Sequence, residues 1–196
     1  FKQFSNFIGW QFHYTFQIAE GSNSNPNEEF GAVLAGKEPT RSIIPLDWDQ
    51  SHNLNGSITT AYKGWGMNTI FQYGSGYPYT PYITNYEQQG EILSNVLLRN
   101  SRRKSSTFRI DTKLFKNIQI GRLNGKVYIN IYNLLDRRNE NYVYADSGTS
   151  DETIEENRAR IISPFEPLRP NTLDDFFVRP DWYDEPIEIQ LGLQFS

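Results

Sequence analysis

The chain contains no cysteine, so neither disulfides nor thiolate metal sites are available to it. It has only two histidines, His13 and His52, which makes a transition-metal site improbable. No apolar run approaches the roughly 18 residues that a membrane-spanning helix requires, and the mean hydropathy is -0.63. Strong positive charge is also lacking. The formal net charge is -4, and the only basic run is Arg102-Arg103-Lys104, so no nucleic-acid partner is expected. Initiator methionine and signal-peptide pattern are both absent at "FKQFSNF", and an N-terminal portion is expected to be missing.

Aromatic residues, by contrast, are abundant: 13 Phe, 12 Tyr and 4 Trp in 196 residues. Many of them recur at every second position. In "FSNFIGWQFHYTFQIAE" the even positions Ile8, Trp10, Phe12, Tyr14, Phe16 and Ile18 are large and apolar, whereas Gly9, Gln11, His13, Thr15, Gln17 and Ala19 are small or polar. A strand sends successive side chains to opposite faces, so this period of two describes an amphipathic strand. "SHNLNGSITTAY", "WGMNTIFQY", "TFRIDTKLF", "KVYINIYNL" and "IEIQLGLQF" follow with the same alternation, less cleanly in "KVYINIYNL". About six strands are therefore expected.

The connections alternate in length. Long stretches of about 30, 30 and 50 residues alternate with tight turns at "YKGW" and "IGRLNG". Long connections at one end and short turns at the other suit a membrane barrel with a wet lumen. The fold expected on this reading is all-β, a transmembrane antiparallel β-barrel segment with long extracellular loops and a periplasmic C-terminus. Within the third loop, "SDETIEENRARII" carries acids first and basic residues last, as a helix dipole prefers, and predicts an external helix.

Four segments add a family resemblance. "PLDWDQSHNLNGSITTAY" resembles the P-x-D-x-D-Q-x-H segment of TonB-dependent outer-membrane receptors, and "GSGYPYTPY" resembles their S-G-x-P-Y-T segment. "FRIDTKLFKNI" with "VYINIYNLLDRRNENYVY" is similar to their R-x-D-x-x-x-x-K strand and N-L-x-D/N-x-x-N turn. "RPDWYDEPIEIQLGLQF" is similar to the approach to their last strand, although Ser196 follows the terminal Phe195. The resemblance implies that residues 1–196 form about the last six strands of a 22-stranded barrel, with the plug domain absent from this chain. The closest branch carries a carboxypeptidase-regulatory-like domain. The implied function is TonB-dependent uptake of a glycan, peptide or metal chelate across the Gram-negative outer membrane. The implied partners are the lipid bilayer, the missing plug and barrel strands, TonB itself and a surface lipoprotein lid. The alternative from the residues alone is a soluble β-sandwich carbohydrate-binding module with exposed aromatic stripes.

No enzyme activity is expected. Asp47, Asp49 and His52 suggest an acid–base group, but Asp49 and His52 fall on opposite strand faces, and Ser51 points away from His52. The acids Asp174, Asp175, Asp181, Asp184 and Glu185 lack the regular spacing of a calcium loop, so no metal or other cofactor is expected. Tyr77, Tyr79, Tyr82, Tyr86, Trp182 and Tyr183 lie in loops, where their rings either stack on a ligand or pack into an interfacial girdle. Arg109 and Asp111 face the polar side and either line a substrate path or pair across strands. The expected ligand-binding set is therefore Tyr77, Tyr79, Tyr82, Arg109, Asp111, Trp182 and Tyr183. The loop from about Leu135 to Asp184 is expected to be the most ligand-relevant segment.

Overall fold

The computed structural model describes residues 2–5, 7–38, 41–81, 99–162 and 173–195. Seven strands form one antiparallel sheet, and each alternating stretch supplies one of them. In chain order the strands are β1 (Lys2–Ser5), β2 (Ile8–Phe16), β3 (Glu20–Gly21), β4 (Ile44–Pro45), β5 (His52–Tyr62), β6 (Trp65–Gly74), β7 (Pro78–Tyr79), β8 (Arg102–Arg103), β9 (Thr107–Ile120), β10 (Leu123–Tyr132) and β11 (Glu188–Phe195). The large sheet has the order β1-β2-β5-β6-β9-β10-β11, and β3–β4 and β7–β8 form separate two-stranded ladders.

The register keeps all the alternating patterns in phase. Phe12 pairs with Gly56, Gly56 with Phe71 and Phe71 with Ile110. Further along the sheet Leu114 pairs with Ile129 and Ile129 with Leu191. Directly paired residues share a face, so one face is apolar across the sheet. Gln11, Ser57, Ile70 and Asp111 follow one another on the opposite face, which is mostly polar. The rings of Phe12 and Phe71 meet at 5.2 Å above Gly56, where a Cβ would collide with both.

Two tight hairpins set this phase. Lys63 (φ 48°) and Gly64 (φ 79°) both adopt the left-handed conformation that a two-residue type I′ turn requires. Gly121 (φ 62°) opens the two-residue turn between β9 and β10, where only the first position has positive φ, as in a type II′ turn. Both turns lie at one end of the sheet, so all three long connections gather at the other. Among the described residues they carry three short α-helices: α1 (Asn27–Leu34), α2 (Ile154–Ile162) and α3 (Asp174–Phe177). α2 falls inside the stretch whose charge order predicts a helix, with Arg160 reaching back to Glu156 at 2.6 Å. α1 was not anticipated. It has neither a side-chain N-cap bond nor basic residues in its last turn, although Glu28 and Glu29 open it and Gly36 (φ 67°) closes it.

The structure corrects the expected fold class. β1 and β11 are the two edges of an open sheet and do not pair with each other. A transmembrane barrel depends on closure to satisfy every backbone group, and the described residues combine open sheets with three α-helices. The architecture is mixed α/β rather than an all-β transmembrane barrel. The expected host for a plug, for TonB, for a lipoprotein lid and for a bilayer is therefore not formed, and the outer-membrane placement falls with it. No described helix is long and apolar enough to cross a membrane. The sandwich geometry is not realised either, since no second large sheet faces the first among the described residues. Alternation misled here because it reports which side of a strand is wet. Closure depends on whether the two edge strands find each other, and no local pattern encodes that.

Burial follows the same division. Among the described residues, Ile44 is the only large hydrophobic side chain that is fully buried. Apart from Pro78 and Pro81, the other buried side chains are polar and sit at strand ends and in the long connections: Asp49, Gln50, Asn100, Asn133, Asn139, Ser150 and Thr153, with Thr112 inside β9. Asp49, Gln50, Thr112, Asn133 and Asn139 belong to the segments that carry the family resemblance. Asn139 bonds both the N–H and the C=O of Phe108, at 2.9 and 3.1 Å. Asn133 donates to the carbonyls of Arg137 and Glu185 at 3.1 and 2.9 Å. Asp49 accepts the N–H of Ala19 at 2.8 Å and pairs with Arg103, whose guanidinium also donates to the carbonyls of Asp49 and Gly76.

Gly76 is therefore a point of close backbone approach. A Cβ there would collide with the main-chain carbonyl of Lys104, whereas one on Gly31 in α1 would meet nothing within 4 Å. Gly76→Ala should destabilise by about 1–3 kcal/mol, as overpacking does. Gly31→Ala should stabilise by about 1 kcal/mol through helix propensity. Denaturant midpoints of the two variants measure the contrast, and similar effects of the same sign would refute the close approach at Gly76.

Candidate functional site

The gathered connections leave a cleft of about 570 Å³, lined by Asp47, Trp48, Tyr77, Pro78, Tyr79, Thr80, Lys104, Tyr142, Val143 and Ala145. It draws on all three connections. Trp48 follows β4, Tyr77 and Tyr79 lie in and beside β7, and Tyr142 comes from the segment after β10. Trp48, Tyr77 and Tyr142 are 51, 41 and 63% exposed, so three aromatic side chains stand in solvent around one opening. Pro78 is buried, and Tyr79 is wedged against the backbone of Gly148, which holds φ at 79°.

Each polar residue of the cleft is braced. Asn100 donates to Asp47 Oδ1 at 2.7 Å and to the carbonyl of Pro45 at 2.8 Å. Its backbone N–H reaches Thr80 Oγ1 at 3.1 Å. Lys104 Nζ donates to the carbonyl of Asn141 at 2.6 Å and lies 5.7 Å from the centre of the Tyr142 ring. Burial lowers the Lys104 pKa, and the nearby Glu140 carboxylate opposes that shift. Behind Tyr142 the Trp182 ring is 6.3 Å away, itself 4.5 Å from Tyr144 and 5.2 Å from the Arg179 guanidinium. Trp182 is thus a brace for the cleft wall.

A second, narrower groove of about 280 Å³ shares Tyr77 with the cleft and runs onto the polar face of the sheet. Its walls include the amides of Gln50, Asn53, Asn55, Gln72, Asn139 and Asn141, together with Arg109 and Asp184. Arg109 Nε bonds Asp111 at 3.0 Å, and Arg109 Nη1 reaches Asp184 at 3.5 Å. The Asp111 bond is the largest cause of a raised Arg109 pKa, with burial acting against it and the charges of Asp111, Asp184 and Glu185 adding to it. Asp111 also accepts the N–H of Asn133 at 2.9 Å, which ties it to the strand-end network.

The residues expected to bind ligand therefore divide. Tyr77 and Tyr79 line the aromatic cleft, and Arg109 lines the polar groove. Asp111 holds Arg109 from behind, and Trp182 supports Tyr142. Tyr183 lines a different cavity of about 410 Å³, with Arg138, Arg179, Phe177, Val178 and Pro186 among its walls. Tyr82 and Tyr86 lie outside the described residues. Trp48 and Tyr142 were missed as site residues. Trp48 sits between Asp47 and Asp49, the two possible acids, and Tyr142 lies in the loop from about Leu135 to Asp184 that is expected to be ligand-relevant, without being singled out there.

The acid–base group does not assemble. Asp49 is held by Arg103 and Ala19, whereas His52 bonds the Tyr14 hydroxyl at 2.8 Å and packs against Phe16. Asp174 and Asp181 are paired with Arg160 and Arg179, and Asp184 with Arg109.

Comparison with known proteins finds no matching family model, no matching curated protein and no matching solved structure. The open sheet and its helices overturn the resemblance to TonB-dependent receptors. The quoted segments are short, and in this structure their residues fasten strand ends and close turns, tasks that any long-looped antiparallel sheet must perform.

Burial, followed by the hydrogen bond to Asp151 and the charge of that carboxylate, pushes the Tyr183 phenol up to about 12 from its ordinary value of 10.0. A folded pKa above the unfolded one means that this contribution to stability is complete below pH 10 and is lost as pH rises toward 12. Tyr183→Phe should therefore flatten the decline in denaturant midpoint across that interval. An unchanged slope would show that the phenol ionises as freely in the fold as in the unfolded chain.

Proposed function

We propose that the chain is a carbohydrate-binding module and that the aromatic cleft takes a neutral glycan. The observation that carries this reading is the convergence of Trp48, Tyr77 and Tyr142 around one opening, each ring well exposed and drawn from a different connection. Exposed aromatics scattered singly are ordinary on a protein surface; three around one cleft form a recognition surface. A flat ring offers the C–H face of a pyranose a large contact area at low entropic cost, because few side-chain torsions are frozen. Asp47 and Lys104 stand beside the rings as acceptor and donor for hydroxyl groups.

The sheet fits this role as a frame. Both tight hairpins lie at the far end, so the connections that carry the cleft can differ in length and composition without disturbing the register. The reading assigns no bond-breaking step. The acids and histidine singled out in the sequence are committed to other partners, and the cleft walls hold no nucleophile paired with a base. The chain is therefore proposed as a binding protein rather than an enzyme.

Binding to neutral oligosaccharides, measured by calorimetry on ligands selected from a glycan array, tests the proposal. Trp48→Ala and Tyr142→Ala should each weaken the best ligand by about tenfold, equivalent to about 1.4 kcal/mol. Tyr62→Ala should leave affinity unchanged, since Tyr62 packs on Phe7 at the hairpin end of the sheet. Absence of glycan binding, or equal losses in all three variants, would remove the proposal.

A further inference from the structure

The edge strand β11 is bonded on one side only. Its eight residues pair with β10 without a break, from Tyr132↔Glu188 to Gly125↔Phe195. An edge strand presents a row of unpaired N–H and C=O groups on its outer side, a template for another strand. Proteins usually blunt such an edge with lysine, proline, a bulge or shortness. β11 uses none of these devices. Its sequence "EIQLGLQF" contains no Lys, Arg or Pro and a single charge, Glu188, at its start. The other edge is different: β1 has four residues and a register shift against β2.

The side chains of β11 define what would fit. Ile189, Leu191, Leu193 and Phe195 carry the apolar face to the edge, and Leu191 is 78% exposed. Their paired neighbours Ile131, Ile129 and Val127, one strand further in, are only half-exposed. An added strand would flank this row as β10 does on the inner side. Gln190, Gly192 and Gln194 on the opposite face are uncharged, and Glu188, which accepts the Gln190 amide at 2.8 Å, is the one charged group on the strand.

We propose that the outer edge of β11 is a strand-addition site. Its partner is an extended peptide segment of about eight residues that docks antiparallel, like every neighbour in this sheet. The segment alternates apolar residues with neutral polar ones, and it places a lysine or arginine opposite Glu188. Backbone bonds supply the affinity, the apolar row fixes which face of the partner meets Leu191, and Glu188 fixes its direction.

The absence of cysteine allows a direct test. Gln190→Cys introduces a single thiol on the polar face of β11, and Asn55→Cys introduces one on the polar face of the interior strand β5. The probe is a nine-residue peptide alternating valine and threonine, with a lysine near the end that meets Glu188 and one threonine replaced by cysteine. Under mild oxidation it should cross-link to Gln190→Cys at least tenfold faster than to Asn55→Cys, and faster than a peptide of scrambled order. In the unmodified chain, the cysteine-free peptide should slow amide hydrogen exchange at alternate residues of β11, and Glu188→Gln should weaken that protection. Equal cross-linking at the two positions, or unaltered exchange, would overturn the proposal. A disulfide homodimer of Gln190→Cys that the peptide does not displace would overturn it too, by assigning the edge to a second copy of the chain.

Discussion

The ladder of backbone hydrogen bonds that runs unbroken from β2 to β11 is the constraint on which the rest depends. A strand has a side-chain period of two, so a slip of one residue would turn an entire apolar row to the other side. The observed register avoids this at every step, and Phe12, Gly56, Phe71 and Ile110 lie in one line across four strands. The two left-handed turns at Lys63-Gly64 and Gly121 hold that phase where the chain reverses. Odd and even positions thus acquire separate tasks. One set builds an apolar surface, and the other builds a polar surface whose upper end becomes the floor of a groove.

With so little apolar side chain fully buried, the order of the long connections rests on polar fasteners. A hydrogen bond adds only about 1 kcal/mol net, but leaving its buried partner unsatisfied costs about 1–3 kcal/mol. Asn139 spans both backbone groups of Phe108, and Asn133 holds two carbonyls that lie far apart in the chain. Arg103 is pinned to Asp49 and Gly76 at once. Through Arg103 the connection after β6 is locked to the one before β5. Through Asn139 the connection after β10 is locked to the start of β9. The site residues sit directly on these locks: Trp48 precedes Asp49, Tyr77 follows Gly76, and Tyr142 follows Asn141, whose N–H bonds the carbonyl of Trp182 at 2.8 Å.

Much of this was legible in the sequence, and the division between what was and what was not has a physical basis. Six strands, their faces, both tight turns and the position of α2 follow from local signals: a period of two, Gly at a required positive φ, and acids before bases along a helix. The same signals could not reveal the open edges of the sheet, because Ile189 and Leu191 alternate with Gln190 and Gly192 whether or not a strand lies beyond them. The short β1 lacked enough residues to show a period. α1 lacked a side-chain N-cap bond. Tyr77 and Tyr79 could be picked out as exposed loop aromatics, but that Trp48 and Tyr142 stand beside them depends on Arg103 and Asn139 closing distances of dozens of residues.

The cleft and the groove meet at Tyr77, and their walls differ in a way that bears on what a ligand would experience. On one side are rings with little hydrogen-bonding capacity; on the other are amides and an arginine already held by two carboxylates. An amide that keeps a fixed partner within the fold, as Asn139 does with Phe108, contributes shape to the groove rather than free donors. Asn55 bonds Asn53, and Asn53 in turn bonds Gln50, which donates to the carbonyl of Ser75 at 3.0 Å. This chain of amides holds its members in set directions before any ligand arrives, so less side-chain freedom remains to be lost on binding. On the proposed glycan-binding reading, ring stacking in the cleft would depend on area and tolerate variation in the ligand, whereas the oriented amides beyond Tyr77 would discriminate by hydroxyl position. That proposal places affinity and selectivity on adjacent parts of one surface, both held by the fasteners that order the long connections.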